Sequence, residues 1–279
     1  MKFVGGIALF VSLMAMPQPS LAMDCKKAKT ELERFICSDA EMKKADAQLS
    51  ASYSALLAKV KDQEFRAAIS RSQKRWLEER DSGKYGEGEV GPNGTKGSHY
   101  GEDAKKFILD VSAKRKEFLD SNGLIAPLQA QREIRRKDGQ GAYAGYKTDC
   151  SFIYQSFDGE YIYECFGTIR RQTGNRVCAT EGSWATGHDL LYGTVSEVVD
   201  GKLVGIASCV GLTAGDTCPY EGGMHKGSWN IGSKEIDKSS LEIEGFLKYD
   251  LDGISALGPD DLSWMDECVS AEVYPKAAE

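Results

Sequence analysis

The hydrophobic period of this 279-residue chain changes once, near residue 142, and that change constrains the fold more than any other feature. Before it, apolar residues recur at three- and four-residue steps, the spacing of one helix face. Met42, Ala45, Leu49, Tyr53, Leu56 and Val60 form such a stripe. So do Phe65, Ile69, Trp76 and Leu77, and then Ala104, Phe107, Ile108, Val111, Phe118 and Leu119. Thr30-x-x-Glu33 and Ser38-x-x-Glu41 read as two capping boxes, so a short helix ends near Cys37 and a second begins at once. Asn122-Gly123 supplies a C-cap. Between the third and fourth helices, Ser82 to Gly101 holds seven glycines and one proline and reads as a loop. Gln129–Gly141 reads as a helical tail leading into a linker.

From Tyr143 onward the period is two, with aromatic and β-branched residues, which predicts strands. Asp200-Gly201 is a two-residue hairpin signal. It pairs Val199 with Lys202, Val195 with Ile206 and Leu191 with Val210, and sets Tyr192 opposite Cys209. A second hairpin turns near Asp158-Gly159. A four-residue loop, Ser156–Gly159, sets Cys150 opposite Cys165, Phe152 opposite Tyr163, Ile153 opposite Ile162 and Tyr154 opposite Tyr161. Further strands are expected near Arg176–Trp184, Leu241–Tyr249 and Val269–Tyr274. The expected class is α+β: a disulfide-stapled helical bundle, then an antiparallel barrel or sandwich. The expected division is a leader over 1–22, a helical domain over 23–125, a linker over 126–142 and a β-rich acidic domain over 143–279.

Lys2, the apolar run Phe3–Met16 and the triplet Ser20-Leu21-Ala22 have the form of a signal peptide cleaved after Ala22. No later stretch is apolar enough to span a bilayer. The expected product is therefore periplasmic or secreted, with no integral membrane segment. All eight cysteines follow the cleavage site, an even number that favours disulfides in an exported chain. Bridging Cys25 to Cys37 requires Cα atoms about 6 Å apart, whereas twelve residues of straight helix separate them by about 18 Å. The segment before Thr30 must then fold back over the first helix. The register argument suggests Cys150–Cys165. Cys209–Cys218 would close the loop between them, which leaves Cys178–Cys268 by elimination.

Residues 23–140 hold 24 Lys+Arg against 20 Asp+Glu, and residues 141–279 hold 10 against 22. An acidic second half of net charge −12 disfavours nucleic acid and attracts a basic partner.

One set of residues carries a resemblance: Asp24-Cys25, Ala28, Thr30, Glu33, Cys37, Asp39, Asp46, Leu49, Tyr53, Gln73, Trp76, Leu77, Arg80 and Asp81, with Arg115 and Leu119 later. The segment 24–121 resembles the LprI-type lysozyme-inhibitor N-terminal domain. That resemblance implies a helical domain that inhibits lysozyme by binding, with a basic lysozyme as partner. It covers none of the second half. The family commonly carries a cysteine just after the Arg-Asp pair and another in the last helix; here Ser82, Gly83 and Ile108 occupy that neighbourhood. Of the family-motif residues Asp39, Asp46, Tyr53, Gln73, Trp76, Arg80 and Asp81, the expected role is structural. Trp76 would pack in the core while Arg80 pairs with Asp46 or Asp81.

Catalytic signatures are missing from the sequence. His99, His188 and His225 lack metal spacing, no G-x-S-x-G elbow exists, and no glycine run matches a phosphate-binding loop. The expectation is a non-enzyme with no cofactor and no metal. A competing expectation is an envelope or saccharide-binding protein that uses exposed aromatics such as Trp184, Trp229 and Tyr220.

Overall fold

The computed structural model describes residues 23–82, 102–155, 159–185, 188–212, 229–232, 241–253 and 259–275. The expected leader and the glycine-rich loop lie outside the described residues, as do His99, His225, Tyr220 and Cys218.

The chain opens with a single 3-10 turn, Cys25–Lys27, followed by α1 (Glu31–Ser38), α2 (Ala40–Lys59), α3 (Gln63–Ser82), α4 (Glu102–Asp120) and α5 (Ala126–Lys137). At α1 the capping box forms reciprocally: Glu33 N donates to Thr30 Oγ1, and Thr30 N donates to Glu33 Oε2. The second expected box shifts by one residue. Ser38 spends its hydroxyl on Phe35 O inside α1. Asp39 caps α2 instead, accepting from Glu41 N and Met42 N at 2.8 and 3.0 Å. A carboxylate satisfies two orphan N–H groups there. The disulfide Cys25–Cys37 staples the opening turn to the end of α1. Within 126–142, the segment expected to link the halves, α5 buries Leu128 completely.

Strands β1 (Gly145–Gln155), β2 (Glu160–Thr173), β3 (Arg176–Ala185), β4 (His188–Val199), β5 (Lys202–Leu212) and β6 (Asn230–Ile231) form one antiparallel meander in sequence order. The β1–β2 pair adopts the register of a four-residue connection, with Cys150 opposite Cys165 and Phe152 opposite Tyr163. The β4–β5 turn places Asp200 at φ 50° and Gly201 at φ 73°. Positive φ at both central residues is what a type I′ hairpin requires.

Farther along β4–β5 the expected register fails. A bulge between Val195 and Ser196 slips the pairing by one, so Val195 faces Ala207, Tyr192 faces Val210 and Gly193 faces Cys209. A one-residue slip exchanges sheet faces. Here it aligns Val195 and Ala207, both completely buried, on the same face.

The class is α+β as expected, but among the described residues the sheet is open and not closed into a barrel. β6 is two residues long, and the outer edge of β1 is met by one bridge, Tyr146 to Leu247. Leu241–Tyr249 is therefore not a strand. Gly245, at φ 85°, turns the chain and limits it to that bridge. The strand expected at Val269–Tyr274 is also absent. Val269 belongs to α6 (Pro259–Ser270), whose Leu262, Met265 and Val269 share one face at helical spacing.

Two cores result. The first joins α1–α5 to the inner ends of β1 and β2 and to Tyr249 and Leu251. Phe107 meets Phe152 and Tyr161 edge-on, with ring centroids 5.3 and 4.8 Å apart, and Trp76 meets Phe152 at 6.1 Å. The second core packs α6 on Cys178, Val195 and Ala207, held by the disulfide Cys178–Cys268. Trp229, expected as an exposed aromatic, packs on Trp264 and Tyr274 in that second core. Stacked apolar surface is worth more there than in water. Cys150–Cys165 is a third disulfide. Cys209 is also disulfide-bonded, and its expected partner Cys218 lies outside the described residues.

Candidate functional site

Helix α3 is the spine of the site. Ser72, Gln73, Trp76 and Arg80 lie on its buried face, while Arg71 and Arg75, four residues apart, flank that face toward the sheet half. Arg75 Nη2 lies 2.8 Å from Asp250 Oδ2, and its Nη1 lies 2.6 Å from Asp252 Oδ2. Both carboxylates are almost wholly buried. Burial opposes the charge on Arg75, yet the hydrogen bond to Asp250 and the charges of Asp250 and Asp252 raise its pKa above the ordinary guanidinium value.

Arg115 enters the same cluster from α4. Its Nη2 donates to Ser72 Oγ at 2.6 Å, Nε to Gln73 Oε1 at 3.1 Å, and Nη1 sits 3.4 Å from Asp252 Oδ1. Ser72 Oγ in turn donates to Asp252 Oδ1. Burial lowers the pKa of Arg115, with Asp252 opposing that shift. From α5, Gln131 closes a pair of hydrogen bonds with the backbone of Asp250, at 2.7 and 3.0 Å. Thus α3, α4 and α5 all hold the loop that carries Asp250 and Asp252.

Beside the cluster lies a pocket of about 400 Å³, walled by Trp76, Phe118, Phe152, Tyr161, Tyr163 and Arg115. The Arg115 guanidinium lies 4.8 Å from the centroid of Phe118 and 5.8 Å from that of Tyr163. Burial, and next the charge of Asp252, push the Tyr163 hydroxyl well above its ordinary pKa. The hydroxyl therefore stays protonated at any physiological pH.

The family-motif residues occupy the neighbouring helical layer. Asp39 caps α2 and pairs with Lys105 at 2.9 Å. Tyr53 donates its hydroxyl to Ser70 Oγ at 3.0 Å, tying α2 to α3. Gln73 accepts from Arg115, as described. Trp76 is completely buried, with the Arg80 guanidinium 5.3 Å from its ring centroid. Arg80 donates from Nε to Asp81 at 2.7 Å, and its Nη1 lies 3.7 Å from Asp46. Asp46, Tyr53, Gln73, Trp76 and Arg80 are buried, whereas Asp39 is half-buried and Asp81 is exposed.

Sequence reasoning did not single out Arg75, Ser72, Asp250 or Asp252. The signal was present as two patterns, Arg71-x-x-x-Arg75 on one helix and Asp250-x-Asp252 before a glycine. Nothing local joins two segments about 175 residues apart.

Cys150, Cys165 and Asp252 bring sulfur and oxygen atoms within 4.8 Å of one another. The two sulfurs are bonded to each other, so no thiolate is left to ligate a metal. Ser72 donates to a carboxylate and accepts from a guanidinium, an arrangement that holds the hydroxyl in place. No described helix is long and apolar enough to cross a membrane.

The fold and site define a class: a disulfide-stapled α+β protein with a buried network of charges. Within it, residues 23–119 match the family model described as Lysozyme inhibitor LprI. No curated protein and no solved structure matches the chain.

Proposed function

We propose that this protein is exported to the periplasm or beyond, with its leader removed after Ala22, and acts as a lysozyme-inhibitor-like protein that binds its partner without catalysis. The observation that carries the reading is the match over residues 23–119, which spans α1–α4 and the staple Cys25–Cys37. Most of its motif side chains, Asp46, Tyr53, Gln73, Trp76 and Arg80, are buried, so recognition falls to outward-facing residues of these helices and to the acidic half. The partner is a basic lysozyme. A net charge of −12 over residues 141–279 steers a basic enzyme toward the chain.

The test is turbidity loss of bacterial cell walls under lysozyme, with the full-length mature protein added. Inhibition at near-stoichiometric ratio, weakening as ionic strength rises, is expected. Undiminished lysis at excess protein overturns the reading.

A second reading, a saccharide- or peptidoglycan-binding envelope protein, has one observation in its favour, the aromatic-walled pocket beside Arg115. Retention on insoluble peptidoglycan in high salt, together with no effect on lysozyme, would favour it.

A further inference from the structure

The backbone nitrogen of Met23 donates to Asp46 Oδ2 at 2.9 Å. Asp46 is buried on α2, only 9% exposed. Its other oxygen lies 3.7 Å from Arg80 Nη1 of α3. Met23 is held firmly at this point. Its side chain packs on the helical core, its sulfur lies 3.7 Å from Cys37 Sγ, and the staple Cys25–Cys37 fixes the turn that follows. The sequence independently places the cleavage point at the Ala22–Met23 bond. Cleavage there turns this particular nitrogen from a neutral amide into a primary ammonium.

We propose that the Ala22–Met23 bond is a processing site whose product, the α-ammonium of Met23, is bound by Asp46 as a buried ion pair. Hydrolysis adds water across the peptide bond; the carboxylate leaves with Ala22 and the amine, protonated near neutral pH, stays beside Asp46. The uncleaved chain offers Asp46 an N–H but no charge. The mature chain offers both, and a charge-assisted hydrogen bond is about twice as strong as a neutral one.

Charged groups on the neighbouring elements have partners of their own. On α3, Arg80 faces Asp46 and also holds Asp81. On α4, Lys105 is engaged by Asp39 and Glu41. Beside Met23, Asp24 is engaged by Lys27 at 3.3 Å. Asp46 thus joins Met23 to Arg80, which lies over Trp76, a wall of the pocket. Processing adds a cation to the chain of charges that runs through Asp46 to Arg80.

This inference rests on the export reading, and the experiment separates the two. Mass spectrometry of the exported protein identifies its first residue; any residue other than Met23 overturns the cleavage point without touching lysozyme inhibition. On protein that begins at Met23, NMR of the isotopically methylated α-amino group reads its pKa directly. An ordinary α-amino value is about 7.7–8.0. A value at least one unit higher is expected, and an ordinary or lower value overturns the ion pair. Thermal melting of the Met23 form is then compared with a form carrying two extra residues before Met23. The sign is that of a raised amine: the added stability is full below about pH 7.7 and is lost as pH rises through the raised value. The Met23 form should melt about 2–4 °C higher at pH 6.5, and the gap should close above pH 10. Asp46→Asn should abolish the gap. Identical melting of both forms at pH 6.5 overturns the proposal even if Asp46→Asn fails to fold.

Discussion

Arg171 on β2 and Asp138, the residue that ends α5, form a two-pronged ion pair: Nε to Oδ2 at 2.6 Å and Nη2 to Oδ1 at 2.8 Å. The Asp138 side chain is only 4% exposed. The third guanidinium nitrogen, Nη1, reaches Asp266 on α6 at 2.6 Å. One arginine therefore ties α5, the second strand of the sheet and α6.

Removing one partner of that pair leaves a charge buried. Asp138→Ala is expected to destabilise the fold by about 3 kcal/mol, whereas Arg171→Met with Asp138→Leu together should cost less than Asp138→Ala alone. Denaturant unfolding of the three proteins checks the order, and a double variant worse than the single would contradict it.

Because the first core is shared between the halves, they are expected to unfold as one cooperative unit. Far-ultraviolet circular dichroism reports the helices, and near-ultraviolet circular dichroism reports the aromatic contacts of Phe152, Tyr161 and Tyr249 with them. Both should trace one transition. Asp252→Ala strips Arg75, Arg115 and Ser72 of a common acceptor. It is expected to cost about 3–5 kcal/mol and to pull the two transitions apart. Coincident curves in the variant would contradict the role assigned to Asp252.

Gly193 on β4 has no room for a side chain. A Cβ built there would lie 2.5 Å from Cys209 Sγ and 3.1 Å from the Trp229 ring. The sulfur is fixed by its bridge and the indole by its neighbours Trp264 and Tyr274. Gly193→Ala is expected to destabilise by about 1–3 kcal/mol through overpacking, with a change in tryptophan fluorescence. Unaltered melting would mean the second core is looser than its contacts imply.

Asp62 caps α3 through the N–H groups of Glu64 and Phe65, and it accepts from Arg132 of α5 at 2.6 Å. The Arg132 hydrogen bond first, and the Phe65 N–H next, hold its carboxyl down to about 2. The folded value lies below the unfolded one, so its contribution is complete above about pH 4 and fades as pH falls toward 2. Asp62→Asn should flatten that part of the acid-unfolding profile, and Asp62→Ala should cost about 1 kcal/mol at neutral pH by loss of the cap. An acid profile unchanged in Asp62→Asn would contradict this assignment.

Much of this molecule is written in interactions a few residues long. The helical stripes, the Thr30–Glu33 capping box, the Asp200-Gly201 turn and the register that sets Cys150 opposite Cys165 all follow from local backbone preference and side-chain period. These were legible because neighbours in sequence decide them. The cap at Asp39 in place of Ser38 was a contest between adjacent residues, and it turned on which side chain had a competing partner.

Other features were decided only when distant segments met. The bulge at Val195 serves the buried face that α6 covers. Val269 joined a helix because Met265 and Cys268 are anchored on β3 and its neighbours, and Trp229 was drawn inward by Trp264 and Tyr274. Above all, the Arg75–Asp250 and Arg75–Asp252 pairs join segments about 175 residues apart. A charge is left in the interior only where an opposite charge and hydrogen-bonding groups offset its desolvation. That condition depends on packing, and no window of sequence contains it.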